Sequence, residues 1–435
     1  MSTTVGQPAE WGHVQRGAFR FLFVYLALYF FPLPSGLADP EWISGIFDKP
    51  WQKVVSWLGD HLLRLKITTF SNGSGDTTYD YVRIVCMAVL ALVAAVVWSA
   101  LDRRRRDYRG LHAWARVWLR YALAISMLDY GLRKVIPNLQ FGTPGIPDLL
   151  ETYGESSPMH LLWTFMGFSP AYTFFAGAGE VLGGLLLFFR RTTTLAAVVV
   201  IGVMSNVVML NFSYDVPVKL GSLHLLFLAL FLLAPDLGRL ANLLVLNRPT
   251  EPVALGPELS RLWMRRVAAG LKVLVIGGVL SIQLHDRWLE HEQSETSDVH
   301  PYGWYAVTSF REEGQEVPAL ATDGHRWKIF RLWQGGLGFR GFDGSARRFK
   351  VDEEPARGPM TLLPAEWNEN AELVPVAGAV PAGRLRFDLA ADGAARLEGV
   401  FDGRTISVSL TPLNPASFPL MNRGFHWISE FPYNR

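Results

Sequence analysis

The sequence contains one cysteine in 435 residues, Cys86, which lies within an apolar run. A single thiol excludes an internal disulfide, a Cys-x-x-Cys redox pair and a zinc site made of several thiolates. Charged residues are also scarce, at 18%, and no basic run is interleaved with aromatic residues as a nucleic-acid groove requires. We therefore expect no nucleic-acid partner, and any redox chemistry would need a bound small molecule or a second subunit.

Apolar residues, by contrast, make up 50% of the chain and are unevenly distributed. The mean hydropathy of +0.18 is too low for a chain embedded in a membrane throughout, so an apolar part and a polar part must coexist. Before Asp286 there are 25 Lys and Arg against 18 Asp and Glu, and from Asp286 onward 16 against 21. This asymmetry predicts a transmembrane helical bundle over residues 1–285 and an extramembrane domain over residues 286–435.

Several stretches of the first part are apolar over the roughly 20 residues, at about 1.5 Å each, that a helix needs to cross a bilayer. Arg-rich loops such as 103–106 all fall on one side if there are seven spans, which predicts a cytoplasmic N-terminus and an external C-terminal domain. Small residues at 36–38 leave a cleaved signal peptide as the alternative for the first span. The sequence predicts an all-α bundle of about seven spans at 17–34, 81–101, 114–136, 169–189, 192–212, 217–235 and 263–284.

Two further segments of the first part are too polar or too interrupted to cross. Residues 51–65 carry apolar side chains on one helical face, a pattern typical of a helix lying in the outer membrane interface. Residues 146–166 contain Pro147 and Pro158 and are expected to form an interfacial or re-entrant element.

From Tyr302 the apolar pattern alternates, which predicts about eight to ten short antiparallel strands closed into a small barrel. Asp402-Gly403 marks a tight hairpin turn between two such strands. The tryptophans of this region are expected to serve packing, with a ligand-holding barrel as the alternative. Gly303-Trp304 is similar to the Gly-x-Trp opening of lipocalin-like barrels, although here the two residues are adjacent.

Ionisable residues inside a membrane span are costly, so each needs a partner or a function. At 1.5 Å per residue, Asp129, Asn206 and His224 lie roughly 9 to 12 Å from the outer end of their spans, and Glu180 lies at about 17 Å. Glycines at 177, 179, 183 and 184 surround Glu180, which indicates close packing against another helix and a carboxylate that faces protein.

Two interpretations of these polar residues stay open. In one they are interhelical hydrogen-bond partners, with Asp129 paired to Arg133, and replacing Glu180 by Gln would leave stability equal or slightly higher. In the other they line a pocket for a quinone-like ligand. Catalytic proton transfer would then fall to Glu180, His224 and Asp129, and ligand binding to Asn206, Tyr121, Arg120 and Lys219.

Three sequence blocks resemble the DoxX family of bacterial polytopic membrane proteins. They are residues 176–197, which begin AGAGEVLGGL, residues 211–224, which begin NFSYDVPVK, and residues 422–435, NRGFHWISEFPYNR, similar to the end of the long DoxX-like proteins. The resemblance implies a bacterial inner membrane, a periplasmic C-terminal domain, and a four-helix unit to which spans one, two and seven are additions.

Members of that family include a thiosulfate:quinone oxidoreductase subunit and a component of thiol-redox complexes, so the resemblance implies electron transfer near quinone. This chain has no second cysteine, and His224 alone cannot supply paired haem ligands. The function expected is that of a quinone-linked redox protein or the membrane subunit of an oxidoreductase. The alternatives are a transporter or lipid-handling protein, or a scaffold whose external domain binds an envelope or redox partner. No clear inverted repeat supports a transporter.

Overall fold

The protein is described here from a computed structural model, which covers residues 10–31, 41–69, 73–251, 261–295, 302–320, 324–352, 358–368 and 372–432. The chain forms two compact units. The first comprises Met1–Thr143 and Ser156–His291, and the second comprises Pro144–Glu155 and Glu292–Arg435. Residues 36–38, where a signal-peptide cleavage site is the alternative, lie outside the described residues.

The first unit is helical. Its helices are α1 (His13–Phe30), α2 (Glu41–Leu58), α3 (Thr78–Leu101), α4 (Arg109–Val135), α6 (Pro158–Phe168), α7 (Pro170–Leu187), α8 (Thr193–Ser213), α9 (Lys219–Leu233), α10 (Leu237–Leu244) and α11 (Leu262–Glu295). The last residues of α11 lie beyond His291, where the first unit ends. The short helix α5 (Ile146–Leu150) belongs to the second unit. Residues 146–166 thus divide into two separate helices, α5 and α6, as their prolines indicate.

Among the residues that the structure describes, five helical segments are long and apolar enough to cross a membrane, which identifies a multi-pass membrane protein: α3, α7, α8, α9 with α10, and α11. The other two predicted spans, α1 and α4, are not among these segments, and both contain charged residues. Much of α4 is surrounded by protein, and Leu123, Ala124, Met127 and Leu128 are fully buried. A helix enclosed by other helices can keep ionisable residues if protein groups pair with them.

The closest packing in the bundle joins α4 to α7, and glycine makes it feasible. A Cβ atom on Gly131 would lie 2.9 Å from the carbonyl oxygen of Gly177, and one on Gly177 would lie 2.8 Å from the carbonyl oxygen of Gly131. On the next turns, a Cβ on Gly184 would lie 3.0 Å from the carbonyl oxygen of Ala124. The prediction that these glycines admit a neighbouring helix is confirmed, and Glu180 between them is 2% exposed.

The N-terminus of α9 is capped differently from what its flanking residues suggest. Asp215 and Pro217 precede the helix, but Asp76, from the loop before α3, accepts hydrogen bonds from the backbone N–H groups of Lys219 and Leu220 at 2.8 and 2.9 Å. Asp215 instead accepts from the Lys219 ammonium at 2.8 Å. A carboxylate at a helix N-terminus satisfies otherwise unpaired N–H groups, and a residue distant in sequence does so here.

The second unit is a closed antiparallel barrel. Its strands are β1 (Gly303–Glu312), β2 (Gln315–Glu316), β3 (Trp327–Trp333), β4 (Gly336–Gly341), β5 (Ala346–Val351), β6 (Met360–Trp367), β7 (Leu373–Pro375), β8 (Gly383–Leu389), β9 (Ala395–Phe401) and β10 (Arg404–Pro412), followed by α12 (Pro419–Asn422). Eight strands pair in the order β1-β3-β4-β5-β6-β8-β9-β10, and β10 pairs with β1 to close the barrel. The predicted small barrel is confirmed, and closure removes free sheet edges.

Turn chemistry and alternation explain why this region becomes a barrel. Asp402 and Gly403, both with positive φ, form the two-residue turn between β9 and β10, as predicted. The sequence has two other Asp-Gly pairs that form turns, at 343–344 and 392–393, and Gly344 and Gly393 have positive φ there. The interior is filled by Trp327 together with apolar residues from every strand of the closed ring. The side chains at the centre of the barrel therefore form a packed hydrophobic core.

Candidate functional site

A cavity of about 670 Å³ lies within the helical unit, and Glu180 is part of its lining. Most of the lining is apolar, from α6, α7 and α8. Phe175 and Leu182 contribute to it and are also 74% and 51% exposed, so the cavity reaches the outer surface of the bundle. Its size and its few polar groups are those of a site for an organic ligand.

The strongest polar feature of this cavity is an ion pair between α4 and α7. The Lys134 ammonium donates a hydrogen bond to Oε1 of Glu180. The Lys134 side chain is 9% exposed and that of Glu180 is 2% exposed, so both charges are withdrawn from solvent. Oε2 of Glu180 is buried and has no hydrogen-bond partner among the described residues. This oxygen is an acceptor available to a donor group in the cavity.

Further polar side chains stand around the same cavity. Asn206 of α8 and Tyr130 of α4 contribute to its lining. Asn211, also on α8, donates a hydrogen bond at 3.0 Å to the Ser222 hydroxyl of α9, which holds those two helices together. Of the residues singled out from the sequence, the cavity therefore brings together Glu180 and Asn206.

His224 belongs to a different cluster, with two tyrosines of α1. Its Nε2 lies 2.6 Å from the Tyr25 hydroxyl, and its Nδ1 lies 2.7 Å from the carbonyl oxygen of Leu220. Because a carbonyl oxygen can only accept, Nδ1 carries a proton, and in neutral histidine Nε2 then accepts from Tyr25. The Tyr29 ring stacks on the imidazole at 3.9 Å and 3°. The contacts of His224 thus serve to join α9 to α1.

Asp129 lies in an ionic network that links α4 to α11. Its carboxylate is 3.6 Å from Arg133, as the spacing of four residues predicts, and 3.6 Å from Arg287. Glu290 pairs with both arginines, at 3.2 and 2.6 Å. The network contains two cations and two carboxylates, so its formal charges balance.

The remaining three residues singled out from the sequence lie apart from the cavity. Arg120 donates to the Thr193 hydroxyl at 3.2 Å and its guanidinium lies 5.4 Å from the ring centre of Tyr121. Lys219 pairs with Asp215 at the start of α9. Neither Arg120, Tyr121 nor Lys219 is among the residues that line the cavity.

Lys134 is the residue that sequence reasoning missed. It lies inside the predicted third span. Gly131 on that span and Gly177 on the span of Glu180 are small residues that could have indicated a close approach of the two helices. Its opposite charge would then have identified the partner. Within the described residues no group of three or more His, Cys, Asp or Glu side chains is arranged to hold a metal ion.

These features define a multi-pass helical membrane protein with an apolar cavity in its bundle and a C-terminal eight-stranded antiparallel β-barrel. The chain belongs to the same family as the uncharacterized protein YwoB of Bacillus subtilis (strain 168), with 36% identity over 117 residues, which are 27% of this chain and 73% of that protein. No family model matches the sequence. No solved structure matches it either.

Proposed function

We propose that the bundle binds an isoprenoid quinone in the cavity beside Glu180 and acts as the membrane subunit of an oxidoreductase. The observation that carries the proposal is a buried ion pair with a spare carboxylate oxygen in an otherwise apolar cavity. A quinone has an apolar tail and two ring oxygens, so it needs an apolar enclosure and a few polar groups. The sequence blocks that resemble the DoxX family support the same ligand class.

The chemistry assigned to the residues is proton handling. Reduction of a quinone consumes two electrons and two protons, and the electrons would come from a partner protein. Lys134 and Asn206 can donate hydrogen bonds to the quinone oxygens, and the spare oxygen of Glu180 can accept a hydrogen bond from the quinol hydroxyl. Glu180 is the proposed proton carrier, because its carboxylate is the acid group that lines this cavity.

The same proposal includes a location and a topology. Seven spans, with α1 and α4 added to the five apolar segments, place the Arg-rich loops on one side of a bacterial inner membrane. The N-terminus is then cytoplasmic and the barrel periplasmic, where it can meet an envelope or redox partner. Reporter fusions at residues 12 and 432 test this orientation directly.

A second candidate function is lipid handling. The cavity is open to the bundle surface at Phe175 and Leu182, so an acyl chain could enter it from the bilayer. Identification of the bound molecule separates the two. The protein is purified from native membranes in maltoside detergent, and its organic extract is analysed by mass spectrometry. Quinone at a fixed ratio to protein supports the first function, and phospholipid or fatty acid alone supports the second.

Binding is then measured by adding a short-chain quinone and following the quenching of tryptophan fluorescence. Trp163 lines the cavity, so Trp163→Phe should remove most of the quenching. Glu180→Gln and Asn206→Leu each remove a polar group, and loss of a hydrogen bond in a buried site costs roughly a factor of ten in affinity. Asp215→Asn, whose side chain is 85% exposed at the start of α9, is the matched control. Equal affinity of Glu180→Gln, Asn206→Leu and the control would rule out this site.

A further inference from the structure

The outer face of the barrel carries a row of residues that lie directly opposite each other on four neighbouring strands. Trp304 on β1 pairs with Arg331 on β3, Arg331 with Gly338 on β4, and Gly338 with Arg348 on β5. Strands lie about 4.8 Å apart, so the two arginines stand about 10 Å apart on either side of a glycine. Because Gly338 has no side chain, the Trp333 ring can lie over it, 3.4 Å from where a Cβ atom would stand.

Indole rings line this part of the barrel surface, which forms a groove of about 260 Å³. The Trp333 ring lies flat over β4, so close that a Cβ atom on Gly336 would meet it at 2.6 Å. Trp367 stacks beside Trp333, with ring centres 6.3 Å apart and planes at 25°. The floor and walls are therefore held by paired strands, which gives a rigid site.

The groove concentrates positive charge. The Arg331 guanidinium is 4.8 Å from the ring centre of Trp304 and 5.2 Å from that of Trp333, a position that leaves the donors at its edge available. Burial, together with repulsion from Arg348, lowers the pKa of Arg331. The lining contains one carboxylate, Glu151, and five cations: Lys328, Arg331, Arg340, Arg347 and Arg348. Arg347 pairs with Asp402, and within the part of the chain that the structure describes no ion pair involves the other four.

We propose that this groove binds a ligand through a phosphate group, held by Arg331 and Arg348. The planar guanidinium matches phosphate oxygens and donates two hydrogen bonds at once. A phosphate carries up to two negative charges, so it balances several uncompensated cations better than a single carboxylate does. Trp333 and Trp367 offer an apolar surface to the part of the ligand that adjoins the phosphate, whether this is a phosphorylated soluble molecule or a phospholipid head group.

The test is isothermal titration of the full-length protein in neutral maltoside detergent, with two probes. Inorganic pyrophosphate represents a soluble phosphate, and dihexanoyl phosphatidic acid represents a lipid head group. Arg331→Gln and Arg348→Gln should each weaken binding of the better probe about ten-fold, because each removes a charge-assisted hydrogen bond. Arg348→Lys should weaken it less, since the charge remains. Unchanged melting of the barrel shows that the variants fold.

Arg396→Gln is the matched control. Arg396 is an exposed arginine on β9, four strands from β4 around the barrel, and it lies 3.5 Å from Glu398. This variant should bind like the original protein. Tighter binding of phosphatidic acid than of pyrophosphate, lost in the two groove variants, would identify a lipid source and support the site. Equal weakening in all three Gln variants would show a net-charge effect alone and overturn the proposal, as would failure of both probes to bind the original protein.

Discussion

Breaking the ion pair between Lys134 and Glu180 is expected to destabilise the bundle strongly, whichever partner is removed. Both side chains are less than a tenth exposed, so Glu180→Gln leaves an ammonium without its carboxylate, and Lys134→Met leaves a carboxylate without its ammonium. Loss of one partner of a buried pair costs about 3 to 5 kcal/mol. We expect the lower end of that range, about 3 kcal/mol, because the adjoining cavity has room for water near the remaining charge.

The double variant Lys134→Met with Glu180→Gln should recover most of that loss. It removes both charges together, and such replacements are often neutral or stabilising. The expected stability is within about 1 kcal/mol of the original protein, which corresponds to a coupling of at least about 5 kcal/mol in the double-mutant cycle. The structure thereby changes the expectation for Glu180→Gln, which the sequence alone predicts to be neutral or slightly stabilising.

The assay is unfolding by sodium dodecyl sulfate in mixed micelles, followed by tryptophan fluorescence. A parallel cycle on Lys219 and Asp215 is the control, because the Asp215 side chain is 85% exposed and exposed pairs couple weakly. Additive effects at Lys134 and Glu180, with a double variant as unstable as the sum of the singles, would refute a buried ion pair between α4 and α7.

Three further predictions concern packing and pH. Gly131→Ala should lower the free energy of unfolding by about 1 to 3 kcal/mol, because its Cβ would lie 2.8 Å from a backbone nitrogen of α7. Gly202→Ala is the control and should leave stability unchanged, because no atom lies within 4 Å of its Cβ position. Thermal melting of the two variants tests this prediction. His224→Gln should cost about 1 to 2 kcal/mol through the lost bond to Tyr25 and the lost ring stacking, and an unchanged melting temperature would argue against this cluster. Hydrogen bonds, above all the one from the Ser309 hydroxyl, lower the pKa of Glu316 below its ordinary 4.5. The stability that ionised Glu316 contributes is therefore present above pH 4.5 and is lost as the pH falls further. Glu316→Gln should flatten the acid side of the barrel's melting profile.

Local patterns were sufficient for most of the architecture. The apolar stretches predicted six helices of the bundle, α1, α3, α4, α7, α8 and α9, to within about five residues at each end, because burial in lipid or protein demands an apolar surface whatever the neighbours are. The bounds of two others were wrong: α11 continues to Glu295, beyond the predicted end at 284, and α2 begins at Glu41, before the predicted start at 51. The alternation from Tyr302 and the Asp402-Gly403 turn predicted the barrel, because side chains alternate along a strand and a two-residue turn needs positive φ. Glycines around Glu180 likewise predicted a carboxylate that faces another helix.

Partner choice was decided by tertiary structure. The sequence places Glu180, Asp129 and His224 at similar depths, but depth along a helix does not determine which neighbour each side chain faces. Helix rotation and packing direct them to Lys134, to Arg133 with Arg287, and to Tyr25. The capping of α9 by Asp76, more than 140 positions away, has the same origin.

The groove on the barrel shows the same division between sequence and fold. Its tryptophans and arginines are visible in the sequence, and the alternation assigns Arg331 and Arg348 to the outer face. Strand register alone sets them on either side of Gly338. Register depends on how strands that are distant in sequence pack around a shared core, and a shift of one residue would turn these side chains to the opposite face. The sequence by itself determined which residues could bind, and the tertiary structure decided which of them meet.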